Sequence, residues 1–129
     1  MNKWKEGIVA VSNNMIIHPG YTFEEFKDTI FYLKQDGVRT IYLDEKQIID
    51  GKQYIVGIFF REREIYMLSL ICCDGEYDEK SEINRKKLHD DILNKYGIME
   101  QDDFKWGKIR SEYDARSNIS SINFYYVTT

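Results

Sequence analysis

The chain has 129 residues and a formal net charge of −4, with 18 Lys and Arg against 22 Asp and Glu. This length fits a single domain, residues 1–129, that can bury a core without disulfides or metal ions. The acidic balance argues against nucleic-acid binding, which uses a face rich in Lys and Arg. No apolar run approaches the roughly 20 residues of a membrane helix, so we expect no membrane partner.

The N-terminal part of the chain predicts a hairpin followed by a capped helix. Apolar runs at residues 8–11 and 15–17 flank Ser12-Asn13-Asn14, which favours a tight turn. Thr22 is placed to cap a helix, and Glu25 can complete a capping box. Four apolar residues at helical spacing follow the cap: Phe23, Phe26, Ile30 and Leu33. They extend the helix toward Gly37, although residues 29–32 are β-branched and aromatic and also favour extended chain.

Residues 52–74 predict the central pair of strands in a sheet. Residues 52–60 and 65–73 are apolar on both faces, and four charged residues separate them. A strand of this kind normally lies in the middle of its sheet and is covered on both sides. Asp50-Gly51 is a strong hairpin signal just before this pair, and residues 39–43 alternate as a further strand.

Residues 79–96 predict a second helix, which Asp78 or Ser81 could cap and Gly97 ends. Its apolar residues are Ile83, Leu88, Ile92, Leu93 and Tyr96. Residues 104–113 and 119–127 form a last hairpin, and the second of these strands alternates as an edge strand does. This order of elements predicts an α+β fold, with an antiparallel sheet of five to seven strands and two helices mainly on one face.

The chain contains no motif for catalysis, for metal binding or for a cofactor. His18 and His89 have no second ligand at a suitable spacing, and we expect both at the surface. Cys72 and Cys73 are neighbours that point to opposite sides of a strand, so we interpret them as reduced thiols of a cytoplasmic protein. We therefore expect no catalytic residue, no metal ligand and no cofactor, and a binding protein is favoured over an enzyme.

Two segments resemble bacterial proteins. Trp106-Gly107, residues 113–117 and Ser120-Ser121-Ile122 resemble a pattern in small uncharacterised bacterial proteins. Residues 19–26, PGYTFEEF, resemble the opening of β-lactamase-inhibitor-like α+β proteins, in which a capped helix packs on antiparallel strands. The resemblance implies that architecture and a protein-binding function, and it assigns no functional residue. Some similar small acidic bacterial proteins neutralise toxins.

Two helices cover one face of such a sheet, which leaves an apolar face without cover. We expect this face to bind another protein or, in a homodimer, the chain itself, and an immunity or inhibitor function is one specific form. The alternative is a small-molecule-binding protein or a small enzyme with a pocket between sheet and helices. Gly57 and Ser69 fit both a closely packed helix and a solvent-exposed face, so the sequence leaves open which side of the sheet faces the helices. If the faces are reversed, the uncovered side is the one that carries Val56. The candidate interface residues are Ile55, Phe59, Ile65, Met67 and Ile71, rimmed by Arg61 and Glu64.

Overall fold

The computed structural model describes residues 2–74 and 82–128. Within these residues the chain forms nine strands, two α-helices and a short 3-10 helix, Trp4–Glu6. The strands are β1 (Val9–Ser12), β2 (Met15–Ile17), β3 (Thr40–Tyr42), β4 (Gln47–Ile49), β5 (Lys52–Arg61), β6 (Glu64–Cys72), β7 (Asp103–Phe104), β8 (Gly107–Asp114) and β9 (Ile119–Tyr126). The helices are α1 (Phe23–Lys27) and α2 (Glu82–Lys95).

Seven of the described strands form one antiparallel sheet in the order β3-β5-β6-β9-β8-β7, and β4 pairs with the first part of β5. β1 and β2 form a separate two-stranded sheet. The structure confirms the predicted α+β class and the antiparallel pair of β5 and β6, in which Ile58 lies opposite Leu68. The prediction of an edge position for β9 is wrong, because β9 lies between β6 and β8.

One face of the large sheet, which we call the inner face, carries the core. Its strand residues are fully buried: Tyr54, Val56, Ile58, Leu68, Leu70, Ile109, Ile122 and Phe124. Trp4 packs edge-on against Tyr54 and Phe124, with ring centroids 6.5 and 5.3 Å away. Ile92 and Leu93 of α2 belong to the same cluster.

Helix α1 packs on the same inner face, at the far end of β5. The rings of Phe23 and Phe26 lie 5.5 and 6.1 Å from the ring of Phe60, which follows Ile58 on the inner side of that strand. Both described helices, the 3-10 helix and the buried residues of the β1–β2 hairpin therefore share one core. The predicted placement of two helices on one face is confirmed.

The capping box at the start of α1 is present. The side-chain oxygen of Thr22 accepts a hydrogen bond of 3.2 Å from the Glu25 N–H, and the Glu25 carboxylate accepts one of 2.9 Å from the Thr22 N–H. The predicted extension of the helix is wrong, because α1 ends at Lys27. The Thr29 hydroxyl donates to the Phe26 carbonyl at 2.7 Å and so takes the acceptor that the next helical turn would use. Ile30 and Leu33 are consequently exposed.

Helix α2 ends at Lys95, and Gly97 terminates it as predicted. Gly97 adopts a φ of 72°, and the Ile98 N–H bonds to the Leu93 carbonyl at 2.9 Å. The predicted first turn at residues 79–81, with the caps Asp78 and Ser81, lies outside the described residues. Ile83 is exposed and is not part of the buried face.

The surface position predicted for His89 is wrong, because its side chain is fully buried. The helix turns His89, Ile92 and Leu93 toward the sheet, at a spacing that places them on one face. The pairing of β6 with β9 stops at Leu70 and Ile122, so the N–H of Cys72 has no strand partner on that side. His89 supplies the acceptor: its Nε2 lies 3.0 Å from the Cys72 nitrogen.

Candidate functional site

The side of the large sheet opposite to both helices is its outer face. Its large side chains are mostly half-buried: Ile55, Phe59, Tyr66, Met67, Ile71 and Tyr125, with the more exposed Tyr42 at one margin. Cross-strand pairing places Ile55 beside Ile71 and Phe59 beside Met67. Among the described residues, both helices pack on the inner face. An aromatic and aliphatic surface is therefore left facing solvent.

Four of the predicted interface residues lie together on this outer face: Ile55, Phe59, Met67 and Ile71. The placement of Ile65 with them is wrong, because Ile65 is fully buried on the inner side. A β-bulge is the cause: Phe59 pairs with Met67 but Phe60 pairs with Ile65, so Tyr66 is an extra residue. Tyr66 packs its ring edge-on against Phe59, 6.1 Å between centroids, and adds a residue that the sequence pattern did not indicate.

The predicted rim residues Arg61 and Glu64 form the last cross-strand pair of the β5–β6 hairpin. Glu62 and Arg63 between them have φ values of 53° and 66°, as in a two-residue turn of the primed type. The Arg61 guanidinium lies 4.3 Å from the centroid of the Tyr66 ring. Arg61 therefore lies at the end of the outer face, and it already makes a cation–π contact there.

Gly57 lies on the outer face, directly opposite Tyr42 of β3. A β-carbon at this position would lie 2.6 Å from Cε1 of Tyr42, which is far too close. The absence of a side chain lets the Tyr42 ring lie across the sheet, where its centroid is 6.0 Å from that of Phe59. Gly57 therefore admits an aromatic ring and not a helix. The side of Val56 faces the helices, and the side of Phe59 is the uncovered one.

The outer face is concave and forms a groove of about 590 Å³. Apolar walls come from β3, β5 and β6, and polar groups come from β8, β9 and the turn between them. The lining residues are Tyr42, Phe59, Met67, Ser69, Ile71, Glu112, Tyr113, Asp114, Ser117, Ile119, Ser121, Asn123 and Tyr125. The two charged residues in this set, Glu112 and Asp114, are both acidic.

The Glu112 carboxylate is held in place by its neighbours. It accepts a hydrogen bond of 2.7 Å from Nδ2 of Asn123 and a second one from the Tyr125 hydroxyl. Burial, reinforced by this hydrogen bond to Glu112, raises the pKa of Tyr125 to about 12. Tyr125 therefore remains a hydroxyl donor at neutral pH, and the acceptor oxygens of Glu112 stay oriented.

Two cations of β8 lie beside the groove without lining it. The Arg110 guanidinium donates to the Asp103 carboxylate at 2.9 Å and to the Asp102 carbonyl at 2.8 Å. The Lys108 ammonium lies 5.4 Å from the centroid of the Tyr125 ring. The groove consequently keeps a negative charge at Glu112 and Asp114.

A smaller cavity of about 250 Å³ lies between α2 and β8, in the region where the alternative hypothesis places a pocket between sheet and helices. Two of its three charged lining residues, Lys86 and Asp90, are paired with each other at 2.7 Å. The larger groove of the outer face, which combines apolar residues with a hydrogen-bonded carboxylate, is the better candidate site.

Groups of three or more His, Cys, Asp or Glu that could hold a metal ion do not occur in residues 2–74 and 82–128. Over the same residues, neither helix has the length and apolar character needed to cross a bilayer. Comparison of the chain with family models, with curated proteins and with solved structures gave no match. The outer face and its groove are therefore the features from which a function can be inferred.

Proposed function

We propose that this protein is a non-catalytic domain that binds another protein through the outer face of its large sheet. One observation carries the proposal: Ile55 with Ile71, and Phe59 with Met67, form two apolar cross-strand pairs on a sheet face that the described helices leave uncovered. An antiparallel sheet usually presents polar side chains on its solvent side. Large apolar patches on soluble proteins mark interaction sites, and aromatic and Met side chains are enriched in the centres of protein interfaces.

An inhibitor or immunity function is the form of binding that we favour. Such a protein acts by covering a site on its partner, so it needs a preformed surface and no catalytic group. β5 and β6 supply this surface, since each is hydrogen-bonded to strands on both sides. A surface built on central strands loses little conformational entropy when it binds. The acidic groove and the net charge of −4 favour a basic partner.

The same proposal places the protein in the cytoplasm. Cys72 and Cys73 are free thiols, one buried and one half-buried, which fits a reducing compartment. Burial also raises the pKa of the Cys72 thiol, which keeps it protonated and unreactive. Both cysteines then serve as packing residues.

A second copy of the chain is the competing partner. In a two-fold dimer the same patch meets itself, so Glu112 and Asp114 of both copies enter one interface. Like charges brought together in an interface oppose association, and in the part of the chain that the structure describes no cation lines the groove to offset them. We therefore favour a different protein over a homodimer.

Site-specific photo-crosslinking in cells that encode the protein tests the proposal. A benzophenone amino acid replaces Phe59 on the outer face in one variant. In a matched variant it replaces Ile83, which is 69% exposed on α2, the helix that packs on the inner face. We expect a specific adduct with one other protein from position 59 and none with that protein from position 83.

The crosslinked protein is then purified and mixed with the unmodified domain, and the complex is measured by sedimentation equilibrium. A stable complex that Phe59→Asp abolishes supports the proposal. Adducts between two copies of the chain would replace the proposal with a homodimer. Equal crosslinking from both positions, or binding that Phe59→Asp leaves intact, would overturn the assignment of the outer face.

A further inference from the structure

We infer that the bound protein places an arginine side chain in the groove, against the Glu112 carboxylate. This inference rests on the proposed function and names the chemistry of the partner at that same surface. Three features of the groove carry it: its charge, the orientation of its acceptor oxygens and its aromatic walls.

The negative charge of the groove favours binding of a cationic side chain. Glu112 and Asp114 line the groove, and among the residues that the structure describes no Lys, Arg or His joins the lining. Of the two nearby cations of β8, Arg110 is paired with Asp103, and Lys108 lies over the ring of Tyr125 at the margin of the groove. Both carboxylates are exposed, so they attract an incoming cation through their combined charge.

The acceptor oxygens are oriented before binding. Glu112 accepts from Asn123 and Tyr125, which leaves two of its roughly four lone-pair sites for another donor. The Asn123 side chain is only 7% exposed, and its Oδ1 has no hydrogen-bond partner among the described residues. Buried acceptors without a partner are uncommon and cost free energy. A guanidinium brings five donors in a planar fork, enough for Glu112 and for a neighbouring oxygen.

The walls of the groove favour arginine over lysine. Tyr125, whose hydroxyl donates to Glu112, presents an aromatic ring beside that carboxylate, and a guanidinium stacks on such a ring while it donates hydrogen bonds in its plane. The protein shows this packing on the same face, where the Arg61 guanidinium lies over Tyr66. A lysine ammonium is more strongly hydrated and binds as a point charge, so it gains less from these rings.

A titration with small probes tests this inference separately from protein binding. N-acetyl-arginine amide is added to the isotope-labelled protein, and NMR follows the Asn123 side-chain amide together with the backbone amides of β8 and β9. N-acetyl-citrulline amide, which has nearly the same shape but no charge, is the matched control. We expect saturable shifts with arginine, with a Kd on the order of millimolar for one side chain. We expect binding at least tenfold weaker with citrulline.

Two variants locate the effect. Glu112→Gln keeps the size and the acceptor oxygen of the side chain but removes its charge, and we expect it to abolish the arginine-induced shifts. Glu45→Gln, on an exposed turn between β3 and β4, removes the same charge elsewhere and should leave them unchanged. If Glu112→Gln fails to fold, the comparison of arginine with citrulline on the native protein decides the matter alone.

The outcomes separate this inference from the proposed function. Absence of shifts at Asn123, equal shifts with citrulline, or unchanged binding by Glu112→Gln would each overturn the arginine assignment. The crosslinking result at position 59 would stand in all three cases. Failure of that crosslinking, with arginine still bound in the groove, would instead overturn the protein-binding proposal and indicate a free guanidinium ligand.

Discussion

The backbone N–H of Cys72 donates a hydrogen bond of 3.0 Å to Nε2 of His89, and this bond joins the end of β6 to α2 inside the core. Because Nε2 is the acceptor, the neutral ring carries its proton on Nδ1. Nδ1 has no hydrogen-bond partner among the described residues. Burial, together with the nearby charge of Arg85, lowers the pKa of His89 to about 4. His89 is therefore a neutral core histidine at physiological pH.

This pKa predicts a loss of stability in acid. The unfolded chain binds a proton at His89 near pH 6.5, and the folded protein does so near pH 4, so stability falls as the pH drops between these values. The full difference is about 3 kcal/mol. We expect urea unfolding to show that the stability advantage of the native protein over His89→Leu is largest at neutral pH. This difference in the free energy of unfolding should decrease by about 3 kcal/mol as the pH approaches 4.

His18 provides a control of opposite sign. Both ring nitrogens face acceptors, the Pro19 carbonyl at 2.8 Å and the Glu25 carboxylate at 2.7 Å. Burial acts to lower the pKa of His18, but the hydrogen bonds to Glu25 and Pro19 and the charge of Glu25 together outweigh it, and the pKa is raised. The stability that His18 contributes is therefore present below pH 6.5 and is lost as the pH rises through the raised pKa.

A pH-independent difference in stability between the native protein and His89→Leu would contradict the neutral, buried state of His89.

The capping box of α1 predicts a local effect on stability. Thr22→Ala removes the acceptor for the Glu25 N–H and should lower the free energy of unfolding by about 0.5–2 kcal/mol. Thr128→Ala, at an exposed position after β9, should change it by less than about 0.5 kcal/mol. Chemical denaturation of both variants gives the comparison. Equal losses would mean that the cap does not stabilise the fold.

The pair at the centre of the sheet predicts a large core effect. Ile58 and Leu68 are fully buried and lie opposite each other on β5 and β6. Truncation of either to Ala should cost about 2–5 kcal/mol, because each change leaves a cavity on the inner face. Ile48→Ala, at a position that is 66% exposed, should be nearly neutral. Losses near zero at both core positions would refute the register of β5 and β6.

Gly57 predicts an effect on the groove with little effect on the fold. Gly57→Ala would drive its new methyl group into the Tyr42 ring, which is 54% exposed and therefore free to move away. We expect a change in stability below about 1 kcal/mol, together with altered NMR shifts of Phe59 and Met67 as the ring leaves them. In a Tyr42→Ala background the same substitution should cause no such shifts. Identical shifts in both backgrounds would show that the position of the Tyr42 ring does not depend on the missing side chain at Gly57.

The hairpins could be predicted from sequence because local signals define them. Asp50-Gly51 and the four charges at 61–64 fix the turns around β5, and alternating apolar runs fix the strands. The length of α1 could not be predicted, since it depends on one competing bond from the Thr29 hydroxyl. Ile65 was misplaced for a similar reason: a one-residue bulge at Tyr66 reverses the side on which a residue lies, and no turn or apolar pattern marks it.

The site itself was predictable only in part. The apolar residues of β5 and β6 indicated an uncovered face. The oriented carboxylate belongs to Glu112, a polar residue that a search for apolar patterns does not identify. The signal available was the row of polar residues at outward positions, with Glu112 on β8 and Ser121 and Asn123 on β9. These polar residues can be assigned to the site only when the pairing of β6 with β9 is known, because this pairing places the last hairpin beside β5 and β6.

The affinity of the protein for the partner identified by crosslinking tests the central claim most directly. Isothermal titration would compare the native protein with Phe59→Asp on the outer face and Ile83→Asp on α2, after circular dichroism has shown that both variants fold. We expect Phe59→Asp to weaken binding at least a hundredfold, as for a residue at the centre of an interface, and Ile83→Asp to change it less than threefold. Native affinity in Phe59→Asp, or an equal loss in both variants, would contradict binding through the uncovered face of the sheet.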